Sequence, residues 1–177
     1  KGSLHIGVLS KVKDEYLSFI FKNIKVPGDR MKPLLLEEAI NGALDDAYLR
    51  RMNPTTSSGH GYTGLKSEYL EDIYGDGTLR EPTDQLREQL SECIHLMQNG
   101  ESLNFINDLK LKDEPRDVHK VDLGKTRPFC VSQLHAVILS RMFLSPVYTA
   151  MVANNEAFCT AVGINMHSDA GRVAERL

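Results

Sequence analysis

The stretch from Lys112 to Arg127, Lys-Asp-Glu-Pro-Arg-Asp-Val-His-Lys-Val-Asp-Leu-Gly-Lys-Thr-Arg, limits the fold more than any other part of the chain. It is too charged to be buried, and it lies between two pieces that read as extended. Residues 103–113 alternate, with Leu103, Phe105, Leu109 and Leu111 pointing one way and mostly polar groups the other. Residues 126–131 form a second extended piece, so the pattern predicts a strand–loop–strand unit with the charged loop at its tip. From Lys110 to Arg127 six Lys/Arg face four Asp/Glu, while the rest of the chain holds 15 basic and 20 acidic residues. Positive charge is thus concentrated in one segment of an otherwise acidic chain. Such a focus attracts phosphate groups by its field and by direct contact, which points to a polyphosphate or a nucleic acid.

Composition narrows the alternatives. At 177 residues, 41% hydrophobic and 25% charged, the chain resembles an ordinary globular domain, or one large piece of a bigger one, and wholesale disorder is disfavoured. A net charge of −3 argues against nonspecific coating of nucleic acid and for a local groove. Cys93, Cys130 and Cys159 lie far apart with no Cys-x-x-Cys spacing, and the six histidines form no ligand pair with them. Structural zinc and a disulfide framework are disfavoured, and a reducing setting fits. No apolar run is expected to reach the length of a membrane span, and no signal peptide is evident. A start without Met is what an excised or polyprotein-derived segment would show.

The coarse element pattern is helix-rich. Residues 11–23 read as a helix followed by a Pro27-Gly28 turn, and 34–40 as a short helix stopped at Asn41-Gly42. The Thr-, Ser- and Gly-rich residues 53–64 read as a loop. A helix over 83–98 carries Leu86, Leu90, Cys93, Ile94 and Met97 on one face and ends at Asn99-Gly100. Ser132 is placed to cap a long helix over 133–153, with Leu134, Val137, Ile138, Met142 and Met151 inward and Pro146 expected to kink or split it. A last helix is expected from about Ser168.

Several motifs are decoys. Gly124-Lys125-Thr126 looks like the end of a P-loop, but His119 stands where the first glycine is needed. Gly59-His60-Gly61-Tyr62-Thr63-Gly64 has the dinucleotide-binding spacing, but no buried strand precedes it. The pairs Asp108/Asp113 and Asp117/Asp122 have a spacing used for paired metal carboxylates, yet sit among bases that make them surface partners. Tyr74-Gly75-Asp76-Gly77 reads as a turn. Composition alone leaves open whether the basic segment is surface decoration, paired with Asp113, Glu114, Asp117 and Asp122, or a phosphate site. A second loop at 54–61, rich in hydroxyls and bare backbone N–H groups, favours the phosphate site.

At this point the chain resembles a known family, the RNA-dependent RNA polymerases of picorna-like positive-strand RNA viruses. That family's motif F runs Lys-Asp-Glu-x-Arg, then Lys, then Gly-Lys-(Thr/Ser)-Arg. Lys112-Asp113-Glu114, Arg116, Lys120 and Gly124-Lys125-Thr126-Arg127 match it without gaps. Thr55-Thr56-Ser57-Ser58-Gly59 resembles motif G, Leu36-Glu37-Glu38-Ala39 the short helix before it, and Phe158-Cys159-Thr160-Ala161-Val162-Gly163 the stretch before the first catalytic strand. The resemblance covers roughly 14–177. His60-Gly61 replace the aromatic and proline usual after motif G, and Pro115 replaces an apolar chain residue.

The resemblance implies an α+β fold, the fingers subdomain of a right-hand polymerase. Its parts would be N-terminal helices over 1–50, a motif G loop over 51–66, the helix over 83–98, a motif F hairpin over 103–131, and helices over 132–177 leading toward the palm. It implies nucleotide-binding roles for Lys112, Arg116, Lys120 and Arg127, and template-binding roles for Thr56, Ser57, Ser58, Gly59 and Lys125. It places no catalytic or metal-binding residue in this chain. Mg2+ or Mn2+ would be held by aspartates of later motifs outside it. The implied partners are RNA template and primer, nucleoside triphosphates, and the palm and thumb of the same polymerase. The implied location is the host cytoplasm, in membrane-associated replication complexes. A noncatalytic RNA-binding module and a purely structural fragment are the competing readings.

Overall fold

The computed structural model describes residues 5–24, 31–43, 46, 48–158, 160, 167, 168, 171, 174 and 175. The Pro27-Gly28 turn, the Ala161-Val162-Gly163 segment and most of the expected last helix lie outside those residues. In chain order the elements are α1 (Ile6–Asn23), α2 (Leu36–Asn41), a 3-10 turn (Lys66–Glu68), β1 (Leu70–Asp72) and β2 (Arg80–Pro82), followed by α3 (Asp84–Gln98), β3 (Asn107–Leu111), α4 (Val118–Asp122), β4 (Pro128–Ser132) and α5 (Leu134–Ala153). This is the mixed helix-and-sheet class expected. The chain divides into two compact units, Leu34–Met142 and the remainder, with the boundary inside α5.

In the smaller unit, α1 starts five residues earlier than the sequence pattern indicates. It keeps Ile20 buried, and the Tyr16 hydroxyl donates to the Phe158 carbonyl at 3.0 Å. Most of its other apolar side chains, among them Ile6, Val8 and Phe21, are exposed.

The core of the larger unit is built from Ile40, Leu70, Leu86, Leu134 and Ile138, all fully buried. Each contributes about 1.5–3 kcal/mol by leaving water, an upper figure against an extended chain. α3 follows from its sequence: the Thr83 hydroxyl caps it by accepting the Leu86 N–H at 3.4 Å, and Leu86 and Leu90, one turn apart, face the core. Cys93 and Ile94 are half-buried, whereas Met97 at the helix end is exposed.

Two antiparallel hairpins complete the unit. β1 pairs with β2 from Leu70↔Pro82 to Asp72↔Arg80, and β3 with β4 from Asn107↔Ser132 to Leu111↔Pro128. The first hairpin is absent from the sequence reading, which sees only its Tyr74–Gly77 turn. Side chains from elsewhere hold it. Asn41 donates to the Arg80 carbonyl and accepts the Arg80 N–H, both at 2.9 Å, and the Arg51 guanidinium binds the Gly77 and Thr78 carbonyls. The second hairpin is the predicted strand–loop–strand unit, shortened to five-residue strands and carrying the unforeseen α4 in its loop. Leu109 and Leu111 do share a side, but that side is exposed.

α5 is one continuous helix despite Pro146. A proline leaves the carbonyl four residues earlier without its helical donor, here that of Met142. The Leu34 N–H supplies the missing bond at 2.8 Å, so the helix is not split. Ser132 does not cap α5, because it is the last residue of β4. The inward residues are Leu134, Ala136, Ile138, Leu139 and Ala150, while Val137, Met142 and Met151 are only half-buried. One expectation needs correcting: at 20 residues α5 is long and apolar enough to cross a membrane by length and composition. Its buried residues lie mostly toward its N-terminal half, and Arg141 within it donates to the Ala39 and Arg50 carbonyls.

The 53–64 loop is mounted on the β4–α5 junction. The Leu134 N–H donates to the Ser58 carbonyl at 2.9 Å. Gly59 has φ of +82°, and a Cβ there would lie 2.3 Å from the Ser132 carbonyl oxygen. Gly75 shares the left-handed backbone at φ +71° but has open space around it. Gly59→Ala should therefore lose about 3 kcal/mol or more, from left-handed strain and backbone collision together, against about 1 kcal/mol for Gly75→Ala. Equal losses for the two variants in denaturant unfolding would contradict this placement of the loop.

Candidate functional site

The basic hairpin is organised by one carboxylate. The β3–β4 ladder extends one step through the Lys112 N–H and the Arg127 carbonyl, 2.9 Å apart, which brings these two residues together at the mouth of the loop. Glu114, just beyond, receives three of the surrounding bases. Arg127 binds it through Nε at 2.8 Å and Nη2 at 2.6 Å. Arg116 binds it through Nε at 3.0 Å and Nη2 at 2.7 Å, and Lys112 Nζ lies 3.0 Å away. Hydrogen bonds from Arg127, then Arg116, then Lys112 hold the Glu114 carboxyl well below the usual carboxylate range, and Glu114 in turn raises the Arg127 guanidinium above its ordinary value.

The two arginines differ in what they have left to offer. Arg116 also donates Nη1 to the Lys125 carbonyl at 2.6 Å and its side chain is only 16% exposed, so it acts as a strut across the loop. Arg127 is 64% exposed and, among the described residues, its Nη1 has no partner. A guanidinium fixed on one edge and open on the other is pre-organised for an anion. Glu114, Pro115, Arg116, Asp117, Lys120 and Arg127 line a cavity of about 570 Å³, within the usual size range of small-molecule sites. Lys120 reaches Asp117 at 3.0 Å, an exposed pair three residues apart that is readily exchanged for another partner. Pro115 lies outside the ladder, so its missing N–H leaves no strand bond unmade.

The structure therefore gathers Lys112, Arg116, Lys120 and Arg127 into two neighbouring cation–carboxylate clusters, and all of them but Lys112 line the cavity. Lys125 is exposed and does not line that cavity. In the 53–64 loop, Thr56 and Ser57 are exposed, with Asn53 bracing the turn by accepting the Thr55 N–H at 3.0 Å. Ser58 is wholly buried, its hydroxyl turned toward the Gly64 carbonyl, and Gly59 is buried as well. These two anchor the loop and present no hydroxyl at its surface.

Residues that the sequence reading passed over fasten the loop. The Tyr62 hydroxyl donates to Gln89 Oε1 and meets His135 Nδ1, both at 2.6 Å. Its single proton goes to Gln89, so His135 must donate from Nδ1. Burial pushes Tyr62 up to about 12 and the His135 imidazole below its ordinary value, keeping both neutral. His60 Nδ1 lies 3.1 Å from Asp108 Oδ1 on β3. Asp108 and Asp117 are thus both paired with bases. Among the described residues no group of three or more His, Cys, Asp or Glu side chains could hold a metal ion.

The family model for the viral RNA-dependent RNA polymerases matches residues 21–177. The chain belongs to that family. This viral polymerase segment is 34% identical over 151 residues to the replicase polyprotein of Drosophila C virus, covering 81% of the chain and 9% of that protein. It is 32% identical over 151 residues to the replicase polyprotein of Cricket paralysis virus, covering 81% of the chain and 8% of that protein. The solved Sicinivirus 3Dpol RNA-dependent RNA polymerase superposes with a TM-score of 0.63 at 25% identity, over 85% of this chain and 30% of that one. The polymerase segment thus spans less than a tenth of its replicase relatives.

The clamp has a clear acid signature. Because the folded Glu114 pKa is depressed, the ionised clamp contributes stability that is fully present above the ordinary glutamate value of about 4.3. That contribution is lost only as pH falls through the lower folded value. In carbon-detected NMR the Glu114 carboxyl should still be ionised where exposed glutamates are half-titrated. A Glu114 midpoint among theirs would contradict the clamp.

Proposed function

We propose that this chain is the fingers portion of a viral RNA-directed RNA polymerase, with the β3–β4 hairpin as one wall of the nucleotide entry channel. The observation that carries this reading is the convergence of Lys112, Arg116 and Arg127 on Glu114 beside a cavity that Lys120 also lines. Lys112, Lys120 and the free edge of Arg127 supply counter-charge to the triphosphate, and Arg116 holds the loop that carries them. Arg127 also stacks against the incoming base, which a planar guanidinium can do while bonding phosphate oxygens. Thr56 and Ser57 guide the template strand from the rim of the 53–64 loop, with Lys125 adding charge along its path.

Activation of the attacking hydroxyl and stabilisation of the leaving pyrophosphate would be supplied by divalent ions bound to aspartates outside this chain. The residues present here bind, orient and neutralise. A stand-alone RNA-binding module is not favoured, since the family match runs through the whole described hairpin and beyond it.

In the full-length polymerase, Arg127→Ala should lower the catalytic efficiency of nucleotide incorporation by about 10²–10³, comparable to removing one pre-organised charge-stabilising donor. Near-wild-type elongation by that variant would overturn the assignment.

A further inference from the structure

The loop assigned to the template and the hairpin assigned to the nucleotide are far apart in sequence, yet two side chains fasten one to the other. Gln133, between β4 and α5, uses both ends of its carboxamide: Nε2 donates to the His60 carbonyl at 3.2 Å and Oε1 accepts the Ile106 N–H at 3.1 Å. His60 then reaches past it, its Nδ1 lying 3.1 Å from Asp108 Oδ1. Loop residue 60 is therefore tied to residue 106 through Gln133 and to residue 108 directly, at the first rungs of β3. Neither Gln133 nor His60 is buried, so packing does not account for them. Both terminal groups of Gln133 are matched to backbone groups of two different segments, a task an apolar side chain cannot perform.

We propose that Gln133 and His60 are positioning residues that hold the 53–64 loop and the β3–β4 hairpin in one fixed geometry, so that RNA seated on the loop orders the hairpin that receives the nucleotide. This rests on the template-guiding reading of the loop. The neighbouring contacts make the loop end of the link stiff: Ser58 is pinned to the Leu134 N–H, and Tyr62 to His135. The hairpin end is, among the described residues, a two-stranded ladder, so its only strand partner is the arm that runs into Gln133 and a change at its base passes along it to the Glu114 cluster.

The test is hydrogen exchange by mass spectrometry on the full-length polymerase, with and without a single-stranded oligouridylate and with no nucleotide present. Two variants are compared. Gln133→Glu keeps the size and the acceptor for Ile106 but removes the donor to His60, and His60→Ala removes an exposed ring. In the unaltered enzyme, RNA should slow exchange in peptides from 54–65 and also in peptides from 107–127. In both variants the first protection should remain and the second should be lost. A residue with a merely structural role would raise exchange equally with and without RNA, leaving the RNA-dependent difference intact. Hairpin protection that persists in the variants, or is missing in the unaltered enzyme while the loop is protected, would overturn the coupling alone. Absence of loop protection in the unaltered enzyme would overturn the template reading and the coupling with it.

Discussion

A hairpin that gathers Lys112, Arg116 and Arg127 at its mouth repels itself unless something of opposite charge stands among them. Glu114 is that group, and the geometry of the loop follows from it. A single half-buried carboxylate accepting from two guanidinia and an ammonium fixes where each base can lie, while the Lys112 and Arg127 arms that meet it stay largely in solvent, where ion pairs have little effect on stability. The value of the cluster is therefore in orientation more than in stability. Arg116 is consumed as a strut, Arg127 is held by one edge with the other turned outward, and Lys112 keeps two of its three donors. An anion arriving at the cavity finds side chains already placed, so less conformational freedom is lost on binding.

The second constraint is the β4–α5 junction. Four consecutive residues there each meet a different part of the 53–64 loop: Ser132 lies against Gly59, Gln133 bonds to His60, Leu134 to Ser58 and His135 to Tyr62. The strand that ends at this junction is one arm of the basic hairpin. Loop and hairpin thus share a support, whose own position is fixed by the buried Leu134 and Ile138.

Much of this was legible in the chain. α3 and α5 carry apolar residues at helical spacing, and the hairpin is marked by extended pieces on either side of a loop too charged to bury. The motif F match gathered residues that the structure brings together. What could not be read came from long-range polar contacts. β1 and β2 are three residues each, charged, and include Pro82, so no alternation marks them; Asn41 and Arg51 hold them from outside. α4 has five residues without a buried one and leaves no periodic trace. Ser58 reads as an exposed hydroxyl because small polar residues in loops usually are, and only the Leu134 N–H and the Gly64 carbonyl reveal it as interior. His60, a departure from the family pattern, proves to be a contact to β3.

The central claim is that this hairpin receives the triphosphate, and lysine accessibility tests it most directly. In the full-length polymerase on a primed template, a matched nucleoside triphosphate should shield Lys112 and Lys120 from acylation, read by mass spectrometry. Lys110, exposed on β3 and bonded to neither Glu114 nor Asp117, should react as before. Equal labelling of all three lysines with and without the nucleotide would contradict the account.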